Sequence, residues 1–126
     1  MDELSGRRVL ILEDEYFVAD DMTRTLTRAG AEIVGPFVDH AEALRALEAG
    51  LAVDLGILDI NLEGEISFAV ADRLAAMGIP FVFATGYGEA IIPQEHRQVP
   101  RWEKPFEPEA LAQAIASVKG TSAGAA

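Results

Sequence analysis

The 126-residue chain contains no cysteine, so disulfides and thiolate metal sites are excluded, and no thiol pattern reports a redox compartment. Basic residues are also scarce: 10 Lys and Arg stand against 21 Asp and Glu, for a formal net charge of −11. Such a chain repels a phosphate backbone and offers it no basic stripe, so nucleic acid is not expected as a direct partner. Long apolar runs are missing too. None approaches the roughly 20 residues that span a bilayer, and the opening "MDELSGRR" has no apolar stretch, so neither a membrane span nor a leader is expected. The default is a soluble cytoplasmic protein. There are only two histidines, His40 and His96, and nothing stands at ligand spacing from either. Both are expected at the surface.

What is present suits one ordinary core. Half of the residues are hydrophobic, and a domain of this size hides about two thirds of its unfolded surface. One domain over residues 1–120 is expected, followed by a disordered tail over 121–126 in a Gly- and Ala-rich end. Short apolar runs alternate with stretches of helical period. Val9 to Leu12 is continuously aliphatic, as befits a strand covered on both faces, and Val18, Met22, Leu26 and Ala29 then recur at helical spacing up to Gly30. "EIVGPFV" (32–38) reads as a strand near a sheet edge because of Gly35 and Pro36, with a helix after it carrying Leu44, Leu47 and Leu51. "VDLGILDI" (53–60) is a third strand, and its helix over 67–77 turns Ala71, Leu74 and Ala75 inward. "IPFVFATG" (79–86) is a fourth. A weak strand over 101–103 and a helix with Leu111, Ile115 and Val118 close the series. Between these last two strands "YGEAIIPQEHRQVP" has Pro93 in its middle, so a helix there should be short or broken. Five strands alternating with helices predict an α/β fold: a flavodoxin-like, doubly wound parallel sheet of order 2-1-3-4-5 with helices on both faces.

The chemistry-bearing residues sit at the ends of these strands. Glu13 and Asp14 follow the first, Asp59 ends the third, Thr85 ends the fourth and Lys104 follows the fifth. In an open α/β sheet, ligands bind outside the carboxyl ends of the strands where the strand order reverses, so all five side chains are expected to face one crevice. Three carboxylates in one crevice repel one another unless a cation lies between them, and magnesium, hard and oxygen-seeking, fits that requirement. Asp59 is then a candidate nucleophile toward phosphorus, Lys104 a neutralising charge, and Thr85 a hydrogen-bond donor to a phosphoryl oxygen.

With "LEDE", "ILDINL", "FATG" and "KPF" in order at successive strand ends, the chain resembles a response-regulator receiver domain of two-component signalling over about residues 5–119. "FVFATGYG" is similar, more narrowly, to the single-domain receivers named for a FATGUY motif, which lack an attached output domain. The resemblance implies a phosphorelay protein rather than an enzyme. A histidine kinase would donate a phosphoryl group to Asp59, while Glu13, Asp14, Asp59 and the Asn61 backbone carbonyl would hold magnesium. Thr85 and Lys104 would carry the conformational response to an unknown downstream protein, and the Lys104–Pro105 peptide would be cis. A monomer or weak dimer is expected.

The chain departs from the common receiver pattern at two places. Where many receivers have a switching aromatic residue three positions before the lysine, it has Arg101, with Trp102 beside it. Tyr87 and Trp102 are the candidates for that role, and Asn61 and Tyr87 for tuning the lifetime of the aspartyl phosphate. Glu63 replaces the proline often found four residues after the acceptor, which predicts a looser loop hinged at Gly64. Two other classes stay open. One is a pseudo-receiver that binds partners without phosphorylation. The other is a small phosphatase with an aspartate nucleophile, although Asn61 stands where such enzymes place a second aspartate.

Overall fold

A computed structural model of the chain describes residues 4–62, 64–85, 96, 98–103 and 107–116. In chain order the elements are β1 (Arg8–Leu12), α1 (Tyr16–Arg28), β2 (Glu32–Phe37), α2 (His40–Glu48), β3 (Leu55–Leu58), β4 (Asn61–Leu62), β5 (Glu65–Ile66), α3 (Ala69–Ala76), β6 (Phe81–Thr85), β7 (Arg101–Glu103) and α4 (Pro108–Ala116). Five strands form one parallel sheet of order β2-β1-β3-β6-β7, which is the expected 2-1-3-4-5 arrangement. β4 and β5 pair with each other apart from it.

The apolar runs explain why the sheet is covered on both faces. Side chains alternate along a strand, so an unbroken aliphatic run feeds two cores at once. Leu10 and Leu12 of β1, Leu58 of β3 and Phe81 and Phe83 of β6 pack with Ala43 and Leu47 of α2 and with Val70, Ala71 and Leu74 of α3. Val9, Ile11, Leu55, Ile57, Val82 and Ala84 point the other way, onto Met22 and Leu26 of α1 and Leu111, Ala112 and Ile115 of α4. Trp102 is half-buried against this second cluster.

Several local expectations change. Leu51 lies outside α2, which stops at Glu48 just before Gly50 takes φ +89, and its side chain is exposed. In α3 the inward face is Val70, Ala71 and Leu74, positions three and four apart, while Ala75 lies about 100° round the helix from Leu74 and is exposed. Neither histidine is at the surface. His40 is buried at the first turn of α2, and its Nε2 lies 3.1 Å from the Glu65 carbonyl oxygen. His96 is buried among the rings of Phe68, Phe81 and Phe83, with Nε2 2.7 Å from Asp72 Oδ1 on α3. Lone histidines carry no periodic signal, and each is buried by partners 24 or 25 residues away in sequence. The loop expected to hinge at Gly64 carries a short hairpin, with Asn61 opposite Ile66 and Leu62 opposite Glu65. The helix expected to be short or broken between the last two strands falls mostly, and Val118 and the tail over 121–126 fall wholly, outside the described residues.

Candidate functional site

The strand order reverses between β1 and β3, so their carboxyl ends open a crevice from which the chain leaves in two directions. Glu13 is fixed there by its backbone. β2 has one extra residue between Val34, opposite Leu10, and Phe37, opposite Leu12. This bulge at Gly35 and Pro36 brings the Phe37 carbonyl to 2.9 Å from the Glu13 N–H. On the other side the Asp59 N–H donates to the Leu12 carbonyl at 2.9 Å, which ties the end of β3 to the end of β1.

The side chains of Glu13, Asp14 and Asp59 converge. One carboxylate oxygen from each lies within 4.8 Å of the other two. Glu13 and Asp59 are almost fully buried and Asp14 is half-buried, so the cluster has a dry floor and a wet rim. Glu13 Oε2 accepts the Glu15 N–H at 3.0 Å, and Asp59 Oδ1 accepts the Asn61 N–H at 2.9 Å. Glu15 stands at the N-cap of α1 but makes no side-chain capping bond, so the acidic run is not there to cap that helix. The donor set fits a small hard cation. Oxygens about 2.1 Å from magnesium lie about 3 Å apart at neighbouring octahedral positions and about 4.2 Å apart at opposite ones, and the three carboxylate oxygens, all within 4.8 Å of one another, can meet that requirement.

Of the five residues expected in the crevice, the structure brings three together. Thr85 ends β6, and its backbone is in register with Glu103 of β7. Lys104, Pro105 and Tyr87 lie outside the described residues. Asn61 opens β4, and its Oδ1 accepts the Gly64 N–H at 3.0 Å across the turn, where Gly64 takes φ +89. Trp102 faces the core cluster under α1 and α4. Tyr16 and Phe17, which belong to none of the motifs, follow the acidic run on the first turn of α1 with 71% and 82% exposure and touch edge to face at 5.4 Å. A clue was available: large aromatic residues directly after a strand-end acidic run, outside the Val18, Met22, Leu26 stripe that faces the core. No helix among the described residues is long and apolar enough to cross a membrane.

No protein-family model matches the chain. Solved structures resemble it closely. SdrG from Sphingomonas melonis Fr1 is 39% identical with a TM-score of 0.77, covering 92% of this chain and 97% of that one. The PhyR response regulator REC domain of Erythrobacter litoralis is 28% identical with a TM-score of 0.74, covering 89% and 88%. Among curated proteins, the sensory transduction protein LytR of Streptococcus agalactiae is 33% identical over 121 residues, covering 91% of this chain and 49% of LytR. The chain spans about half the length of the curated relatives it matches first. With the sheet order, the strand-end acidic cluster and a 39% identical relative matched over almost its whole length, the chain belongs to the response-regulator receiver family.

Proposed function

We propose that this receiver is a phosphorelay switch that accepts a phosphoryl group on Asp59 from a histidine kinase and passes the signal to a protein partner. The observation that carries the reading is the convergence of Glu13, Asp14 and Asp59 at the strand-order reversal, with Asp59 buried and its carboxylate oriented by the Asn61 amide. An oxygen of Asp59 attacks phosphorus, the donor's P–N bond breaks, and the donor imidazole nitrogen keeps the electron pair and takes a proton. Magnesium, when bound by Glu13, Asp14, Asp59 and the Asn61 carbonyl, supplies neutralisation of the phosphoryl charge. The buried floor excludes competing water from the acceptor, and the Asn61 N–H fixes which way the carboxylate faces before the donor arrives.

Phosphorylation adds about −1.5 to −2 charges and new acceptor oxygens, which Thr85 and Lys104 would bind only in the modified state. That difference in contacts moves the segments after β3 and β6, with Tyr87 or Trp102 in place of the aromatic residue missing at Arg101. A kinase that delivers the phosphoryl group must cover the crevice, and the exposed pair Tyr16 and Phe17, two and three residues after Asp14, offers it an apolar contact. SdrG has been captured in a BeF3-activated conformation, which supports the same chemistry here. The cytoplasm, where kinase phosphoryl donors are made, is the compartment this role requires.

The test is intact mass after incubation with a small phosphodonor and magnesium, alongside Asp59→Asn and a chelator control. One phosphoryl adduct that needs both Asp59 and magnesium is the expected result. No adduct from any donor would replace this reading with a module that only binds partners.

A further inference from the structure

The β4–β5 hairpin after Asp59 has two residues in each strand, too few to hold itself together in water. β4 has an anchor, because Leu62 is buried in the core, but both residues of β5, Glu65 and Ile66, are exposed. β5 is therefore held by its backbone. It pairs with β4, and the Glu65 carbonyl meets His40 Nε2 at 3.1 Å. A carbonyl can only accept, so His40 Nε2 bears the hydrogen. His40 Nδ1 is buried with no hydrogen-bond partner among the described residues, so Glu65 takes the ring's one polar contact there. His40 is itself placed by the start of α2, where the preceding residue, Asp39, accepts the Glu42 N–H at 2.7 Å as N-cap.

We propose that His40 is a positioning residue for the chemistry at Asp59. Its Nε2–H pins β5, β5 pins β4 through the Asn61 to Ile66 pairing, and the Asn61 amide then orients the Asp59 carboxylate. The role rests on Asp59 being the phosphoryl acceptor. His40 thus sets the readiness of the nucleophile through the hairpin.

The experiment compares the wild-type chain with His40→Phe, which keeps a ring of similar bulk but has no donor, and His40→Gln, whose amide can reach the same carbonyl. His40→Met replaces the Phe variant if that one does not fold. Two readouts are taken: amide hydrogen exchange at Asn61 and Gly64 without phosphodonor, and the rate of adduct formation on Asp59 from a small phosphodonor. Losing the bond should speed exchange at both amides and slow adduct formation, each by about threefold to tenfold, with His40→Gln restoring both. Exchange unchanged in His40→Phe would overturn the linkage from His40 to Asn61. Exchange that changes without rescue by His40→Gln would reduce His40 to core packing and overturn the donor role. A wild-type chain that forms no adduct would refute the acceptor reading, and with it a role for His40 in the reaction, while the exchange data would still judge the linkage separately.

Discussion

Removing the charge of Asp59 should stabilise the metal-free protein. Its oxygen lies within 4.8 Å of those of Glu13 and Asp14, and two unit charges at that distance repel by about 3.5 kcal/mol in an effective dielectric of about 20. Asp59→Asn deletes two of the three repelling pairs and keeps an oxygen to accept the Asn61 N–H, so the local geometry survives. Water and counter-ions at the half-buried rim around Asp14 screen much of the resulting ~7 kcal/mol in the wild type, which leaves a gain of about 2 kcal/mol. For a domain of this length that is a rise in Tm of roughly 6 to 10 °C in chelator, read by calorimetry or circular dichroism. Magnesium should narrow the difference. At one hundred times its Kd the ion stabilises the wild type by about 2.7 kcal/mol, and the variant, short of one carboxylate ligand, gains far less. A variant no more stable than wild type in chelator, or one that responds equally to magnesium, would refute the account of a repelling cluster built around a cation.

Three further outcomes test separate parts of the structure. At Gly56, in the middle of β3, an added Cβ would stand 2.7 Å from Leu74 Cδ1 and 3.3 Å from Phe81 Cβ, so Gly56→Ala should cost about 1 to 3 kcal/mol in urea denaturation through overpacking beneath α3. Asp72→Ala removes the carboxylate from His96 and leaves that buried ring nitrogen facing aromatic surroundings; a loss of about 1 to 3 kcal/mol is expected, and His96→Phe in the same background should recover part of it. Replacing both Tyr16 and Phe17 by Ala should change Tm little, because both are exposed, and should leave labelling by a small phosphodonor intact while slowing phosphotransfer from the cognate kinase, measured with radiolabelled kinase.

The amino-acid sequence by itself determined the sheet and the acidic site. Runs such as Val9 to Leu12 and Phe81 to Ala84 are apolar at every position, and only strands covered on both faces bury such runs, which leads to a parallel sheet with helices on each side. Once that order is in place, Glu13, Asp14 and Asp59 must meet, because the ends of neighbouring parallel strands are neighbours. Tertiary structure alone decided the rest. Two-residue strands have no period to read, so the β4–β5 hairpin is invisible until its ladder forms. His40 and His96 look like isolated polar residues along the chain, and become buried donors only when Glu65 and Asp72 arrive from more than twenty residues away. Local patterns record which face of an element avoids water; which distant polar group meets a buried nitrogen is settled only when the elements pack.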